Sequence, residues 1–174
     1  MKKKLEKHAV DIATSCDPKS FDGIYQYTSD GDFYITDTYR VLQTETDVEG
    51  LTLNAHANKT IQLLKKPFDT VNDRDADYVR YSLPDVEELK SQLKELVGRK
   101  MTKVVWSDGK ICINVRYLIK AMEALNSKYA FVSNKSSAYP ILLCEDDDPM
   151  SLNRELIFGI YNRDGRKGMW IAEE

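Results

Sequence analysis

The sequence predicts an α+β domain with amphipathic helices packed on one face of an antiparallel sheet. Three observations lead there. Four segments carry apolar residues at helical spacing: Leu5–Ala9–Ile12, Ala57–Ile61–Leu64, Val86–Leu89–Leu93–Leu96 and Val115–Leu118–Met122–Leu125. Between them lie period-two runs rich in aromatic and β-branched residues, bounded by Gly-containing turns. The last two helical segments superpose at a constant offset, each following a short strand, as equivalent helices laid side by side would.

The elements follow in order. Residues 2–16 form an amphipathic helix that ends before Asp17-Pro18. Phe21–Thr28 and Phe33–Thr36 flank the turn Ser29–Asp32 as a hairpin, and Arg40–Thr46 is a third strand. A short helix over Ala57–Leu64 stops by Pro67, and the acidic stretch Phe68–Asp77 is an exposed loop. Tyr78–Leu83 is a strand. Pro84-Asp85 opens a helix that runs to Val97 and closes at Gly98. Thr102–Trp106 leads through Ser107–Gly109 into a strand holding Ile111 and Ile113. Asn114 then caps a helix whose apolar stripe is Tyr117, Leu118, Ala121, Met122 and Leu125. Strands resume around Tyr129–Phe131 and Tyr139–Leu143. An acidic loop, Glu145–Asp148, precedes the last strand, Glu155–Tyr161. In the charged tail, Met169–Ile171 is an apolar patch that docks locally or on a partner.

With 174 residues, 42% apolar and 30% charged, the composition is that of an ordinary globular chain. The expected organisation is one domain over residues 1–161, with an inserted segment at about 51–109 and a charged tail at 162–174. The three cysteines, Cys16, Cys112 and Cys144, are scattered, which suits a reduced, cytoplasmic protein. The basic start is interrupted by Glu6, Lys7 and Asp11, so it does not read as a signal peptide. No apolar run approaches the ~20 residues of a membrane span.

Chemical motifs are missing. His8, His56 and the cysteines have neither CxxC nor HExxH spacing, and the glycines form no phosphate-binding loop. Glu145–Asp148 lacks the alternation and glycine of a calcium loop and reads as solvated. Ser136-Ser137 reads as a turn. No enzyme, metal or cofactor is expected. The positive signal is charge placement. About half of the 25 basic residues of this net −3 chain fall on helix segments, whereas acidic clusters fall in loops. If the helices share one sheet face, that face binds phosphate backbones through Lys3, Lys4, Lys7, Lys59, Lys90, Lys94, Arg116 and Lys120.

Two stretches resemble the bacterial sliding clamp, the processivity subunit of the replicative polymerase. INVRYLIKAMEALNSKYAFVSNKSSAYPILLCEDDD with ELIFGIYN is similar to the closing half of a clamp domain, through Asn114, Tyr117, Leu118, Ser137, Pro140, Asp146–Asp148 and Leu156–Tyr161. FDGIYQYTSDGDFYITDTYRVLQTE is similar to the family's hairpin that ends in a T-D-G-x-R-L strand. The resemblance implies helices lining a DNA-facing surface, and a pocket for short peptides formed by Thr36, Thr38, Tyr39, Arg40, Val41, Phe158, Gly159 and Ile160. Thr38 stands where the family carries Gly, and Gly159 where it carries Pro. The expected function is thus a non-catalytic DNA-clamp-like protein, of a kind used by phages or mobile elements. It would contact duplex DNA non-specifically or engage replication or repair proteins, as a homo-oligomer and without a membrane. The alternative is an interaction adaptor that keeps the clamp fold without encircling DNA.

Overall fold

The computed structural model describes residues 2–15, 25–53, 68, 78–98, 103–106, 111–133, 140–159 and 169–170. Helix α1 spans Lys3–Thr14 and buries Leu5, His8, Ala9, Ile12 and Ala13, a stripe with helical period. Its last turn is closed by the Ser15 N–H on the carbonyls of Asp11 and Ile12. Strands β1 (Tyr25–Ser29), β2 (Asp32–Thr36) and β3 (Arg40–Thr44) follow as an antiparallel meander. Asp30 (φ 52°) and Gly31 (φ 93°) make the tight turn between the first two, the left-handed pair that hairpin twist favours. Next come β4 (Thr52–Leu53), β5 (Tyr78–Ser82) and helix α2 (Val86–Gly98). The Asp85 carboxylate caps α2 by accepting the Glu87 N–H at 2.8 Å.

Strands β6 (Lys103–Trp106) and β7 (Ile111–Asn114) lead directly into helix α3 (Val115–Leu125). Asn114 caps α3 through the Arg116 N–H, and Asn126 ends it in the left-handed region (φ 54°). The described chain closes with β8 (Tyr129–Ser133), β9 (Ile141–Cys144), a 3₁₀ turn at Glu145–Asp147, β10 (Arg154–Ile157) and β11 (Met169–Trp170).

Among the described residues, eight strands form one sheet in the order β4-β1-β2-β3-β10-β9-β8-β5, and β11-β6-β7 form a second. The expectation of an antiparallel sheet needs one correction. Pairing is antiparallel except at two places, β4 on β1 and β11 on β6, so the sheets are mixed. The β4 exception has a visible cause. The Gln26 side chain takes the Val48 N–H and donates to the carbonyls of Val48 and Leu51. That pins the 45–51 loop across β1, with Val48 and Leu51 in the core, and brings β4 alongside β1.

The main core lies between the helices and one sheet face. Leu5, Ile12, Leu89, Leu118 and Leu125 meet Ile35, Leu42, Val132, Ile141, Leu143 and Ile157. Most of these are fully buried, and each such side chain contributes about 1.5–3 kcal/mol. The opposite face carries a smaller cluster of Tyr27, Tyr34, Val41, Leu142, Cys144 and Leu156 under Phe68. Burial pushes the Cys144 thiol up to about 12, so it is an inert core group. The expected helix over Ala57–Leu64 lies outside the described residues. Met169 and Trp170 engage β6 through their backbone. No helix among the described residues is long and apolar enough to cross a membrane.

Candidate nucleic-acid interface

The helix layer is ordered α1-α3-α2. Lys120 of α3 grips the Asp11 carboxylate of α1 at 2.8 Å, and Glu123 of α3 meets Lys90 of α2, also at 2.8 Å. Asp11 meets Lys120, while Lys2 before α1 and Asn126 after α3 meet on the Asp146 carboxylate, so α1 and α3 run antiparallel. Between them lies a cleft of about 380 Å³ lined by Lys4, Lys7, His8, Asp11, Lys120, Glu123 and Ala124. The four α1 positions are spaced i, i+3, i+4, i+7, one stripe of the helix.

Charge is segregated across this layer. Residues 2–14 carry four lysines against Glu6 and Asp11, and α3 carries Arg116 and Lys120 against Glu123. The α1–α3 surface is therefore net positive in a chain of net −3. Helix α2 adds nothing to this, because Glu87, Glu88 and Glu95 outnumber Lys90 and Lys94.

The expected DNA-contacting residues divide by occupancy. Lys3, Lys4 and Lys7 are exposed on α1, Arg116 at the start of α3 and Lys94 on α2, and none has an ion-pair partner among the described residues. Lys90 is held by Glu123 and Glu87, whose hydrogen bonds raise its pKa. Lys120 is shared with Asp11. Burial pushes the Asp11 carboxyl up, but Lys120 and then Arg40 outweigh it and hold the group below the usual range. Lys59 lies outside the described residues.

Beneath α1 sits a buried polar cluster. His8 Nε2 is 2.6 Å from the Glu155 carboxylate, and both side chains are buried. Arg40, 1% exposed, donates from Nε to Asp37 at 2.8 Å and from Nη2 to Asp11 and Ser15 Oγ, each at 3.3 Å. Its guanidinium lies 4.4 Å from the Tyr117 ring centroid. Burial lowers its pKa, yet Glu155, Asp37 and Asp11 together raise it. None of His8, Asp11, Glu155 or Asp37 is singled out by the sequence. One signal was present: Glu155 is a lone carboxylate beside Leu156 and Ile157, and a charge in such a strand needs a buried partner.

The expected peptide-pocket residues are only partly brought together. Tyr39, 60% exposed, accepts the Phe158 N–H on its carbonyl at 2.9 Å, and Gly159 follows at the surface. Arg40 is buried on the helix side, while buried Thr36 pairs with Val41 and shares its opposite face. Ile160 lies outside the described residues. Thr38 adopts φ 79°, the left-handed region that a β-branched residue enters at a cost of about 1–2 kcal/mol. The turn compels it. Thr36 Oγ1 takes the Thr38 N–H, and Asp37 takes the N–H groups of Tyr39 and Arg40. Thr38→Gly should therefore stabilise the fold by about 0.5–1 kcal/mol, after the added unfolded-chain entropy of glycine is set against the relieved strain. A urea titration reads this directly, and a loss of stability would show that Thr38 is not strained.

The acidic loop departs from the expected solvated loop. Lys2 bridges Glu145 at 3.1 Å and Asp146 at 2.9 Å, Asn126 and Asn153 donate to the same two carboxylates, and Asp148 takes the Met150 N–H. Asp147 accepts from Ser127, Lys128 and Tyr129. The loop is a clasp that ties the start of α1 to the end of α3. Among the described residues no group of three or more His, Cys, Asp or Glu is placed to hold a metal ion.

No protein-family model and no curated protein matches this chain. Among solved structures, the Helicobacter pylori beta clamp bound to a DNA ligase peptide is similar at 11% identity and a TM-score of 0.36, over 75% of this chain. This chain spans 41% of that clamp chain.

Proposed function

We propose that this chain is a non-catalytic, clamp-like domain that contacts duplex DNA without reading its sequence, through the α1–α3 surface. The observation that carries the reading is the segregated charge. Lys3, Lys4, Lys7 and Arg116 project from adjacent helices free of ion pairs among the described residues, while the acidic clasp and Asp11 are already satisfied by protein donors. Phosphates meeting such a surface release counterions, so affinity falls steeply with salt. The resemblance of the two sequence stretches to the sliding clamp supports the same reading.

Four such contacts set the expected slope of log K against log salt at about −3 to −4 for a duplex. Fluorescence anisotropy with a labelled duplex between ~50 and ~200 mM salt measures it. Lys4→Glu/Lys7→Glu should weaken binding about tenfold or more and flatten the slope by about two. Absence of salt-dependent binding by the wild type at low ionic strength would sink the proposal.

A further inference from the structure

We infer that a single strand of nucleic acid lies along the rim of the α1–α3 cleft, with a base stacked on Tyr39 at the cleft's end. This rests on the polyanion-binding reading above and narrows its ligand. Antiparallel packing places the elements of the cleft in a line. Lys4 and Lys7 lie at one end, Lys120 with Asp11 in the middle, and Tyr117 at the other end, where Arg40 links it to Ser15. Tyr39 extends that end, its ring centroid 6.4 Å from that of Tyr117.

Tyr39 is presented rigidly. Its N–H is held by Asp37 at 3.0 Å, its carbonyl by the Phe158 N–H, and its ring is propped on Tyr117, which itself covers Arg40. A ring pinned in this way and still 60% exposed is a platform with a free face. Bases within a duplex are already stacked and gain nothing from it. Unpaired bases do gain, and every base has a face to offer, so the site is sequence-tolerant. Lys4 and Lys7 on the rim supply the phosphate contacts, because Lys120 is already bridged across the cleft to Asp11 at 2.8 Å. Single strands recognised by a basic groove and an aromatic platform are a general mode of nucleic-acid binding.

The test compares a thymidine oligonucleotide, an abasic strand of equal length and a duplex of equal phosphate number, by anisotropy at low salt. The wild type should bind the thymidine strand several-fold tighter than the other two. Tyr39→Ala should cost about tenfold on the thymidine strand, with the duplex and abasic strand within about twofold, and Tyr39→Trp should retain the wild-type preference. A thermal melt of each variant guards against unfolding, which an exposed ring makes a small concern. Equal or tighter duplex binding, or a Tyr39→Ala loss shared by all three polymers, overturns the inference but leaves the polyanion reading standing if the salt slope persists. No binding of any polymer overturns both.

Discussion

Arg40→Met should lower the unfolding free energy by about 3–5 kcal/mol, because it strands charge in the core. Asp37, as buried as Arg40 itself, loses its 2.8 Å partner, and Glu155, fully buried, loses the nearby positive charge. Glu155 already has one carboxylate oxygen without a hydrogen bond among the described groups, so it has little to fall back on. Methionine conserves volume and apolar packing, so the loss reports charge and not a cavity. For a chain of this size the melting midpoint should drop by roughly 10 °C or more. Arg40→Met/Asp37→Asn should regain part of the loss, since removing both partners costs less than orphaning one. Urea unfolding of the two variants decides it. A single-variant loss below ~1 kcal/mol would mean that the cluster is hydrated and weak.

The same cluster sets an acid-side dependence. The Asp11 carboxyl is held below its ordinary value of about 4 in the folded state. A group depressed on folding contributes stability that is fully present above its unfolded pKa and is lost as pH falls through its folded one. Arg40→Met removes one of the two cations that depress Asp11, so its stability should vary less between about pH 5 and pH 2 than that of the wild type. Lys120 still holds Asp11 in the variant, and the dependence should be reduced and not abolished.

Local signals in the sequence translated well. Asn114 and Asp85 are caps whose chemistry is visible in one residue and its neighbours, and the α3 stripe follows from helical period alone. The Asp30-Gly31 turn likewise declares itself. The parallel placement of β4 does not, because it depends on where Gln26 reaches after a 22-residue separation. Strand β3 is buried along its whole length, so polar Arg40 and Gln43 point into covered faces and the alternation rule cannot tell in from out. The candidate surface shows the same division. Lys3, Lys4 and Lys7 could be read from one helix. That Lys120 is shared with Asp11, 109 residues away, and Lys90 with Glu123 belongs to helix order alone. The acidic loop looked solvated because its donors, Lys2, Asn126 and the 127–129 turn, come from elsewhere in the chain.

That loop supports the second large effect. Asp147→Ala should cost about 2–3 kcal/mol. One carboxylate oxygen accepts the Ser127 hydroxyl at 2.7 Å, the Lys128 N–H at 2.8 Å and the Tyr129 N–H at 3.1 Å. These donors mark the place where α3, ended by left-handed Asn126, turns into β8. Alanine leaves the Lys128 and Tyr129 amides without their acceptor, while the Ser127 hydroxyl still has the Tyr129 carbonyl at 2.9 Å. It also puts an ordinary Cβ residue at φ 60°, which Asp tolerates and Ala does not. Asp147→Asn keeps an acceptor oxygen and suits the same backbone, so it should cost about 1 kcal/mol. Hydrogen exchange separates this from a general loss of stability. The Lys128 and Tyr129 amides should lose protection in the alanine variant beyond the global change, and the asparagine variant should keep most of it. Equal losses in the two variants would show that charge, and not the three-donor geometry, is what holds the turn.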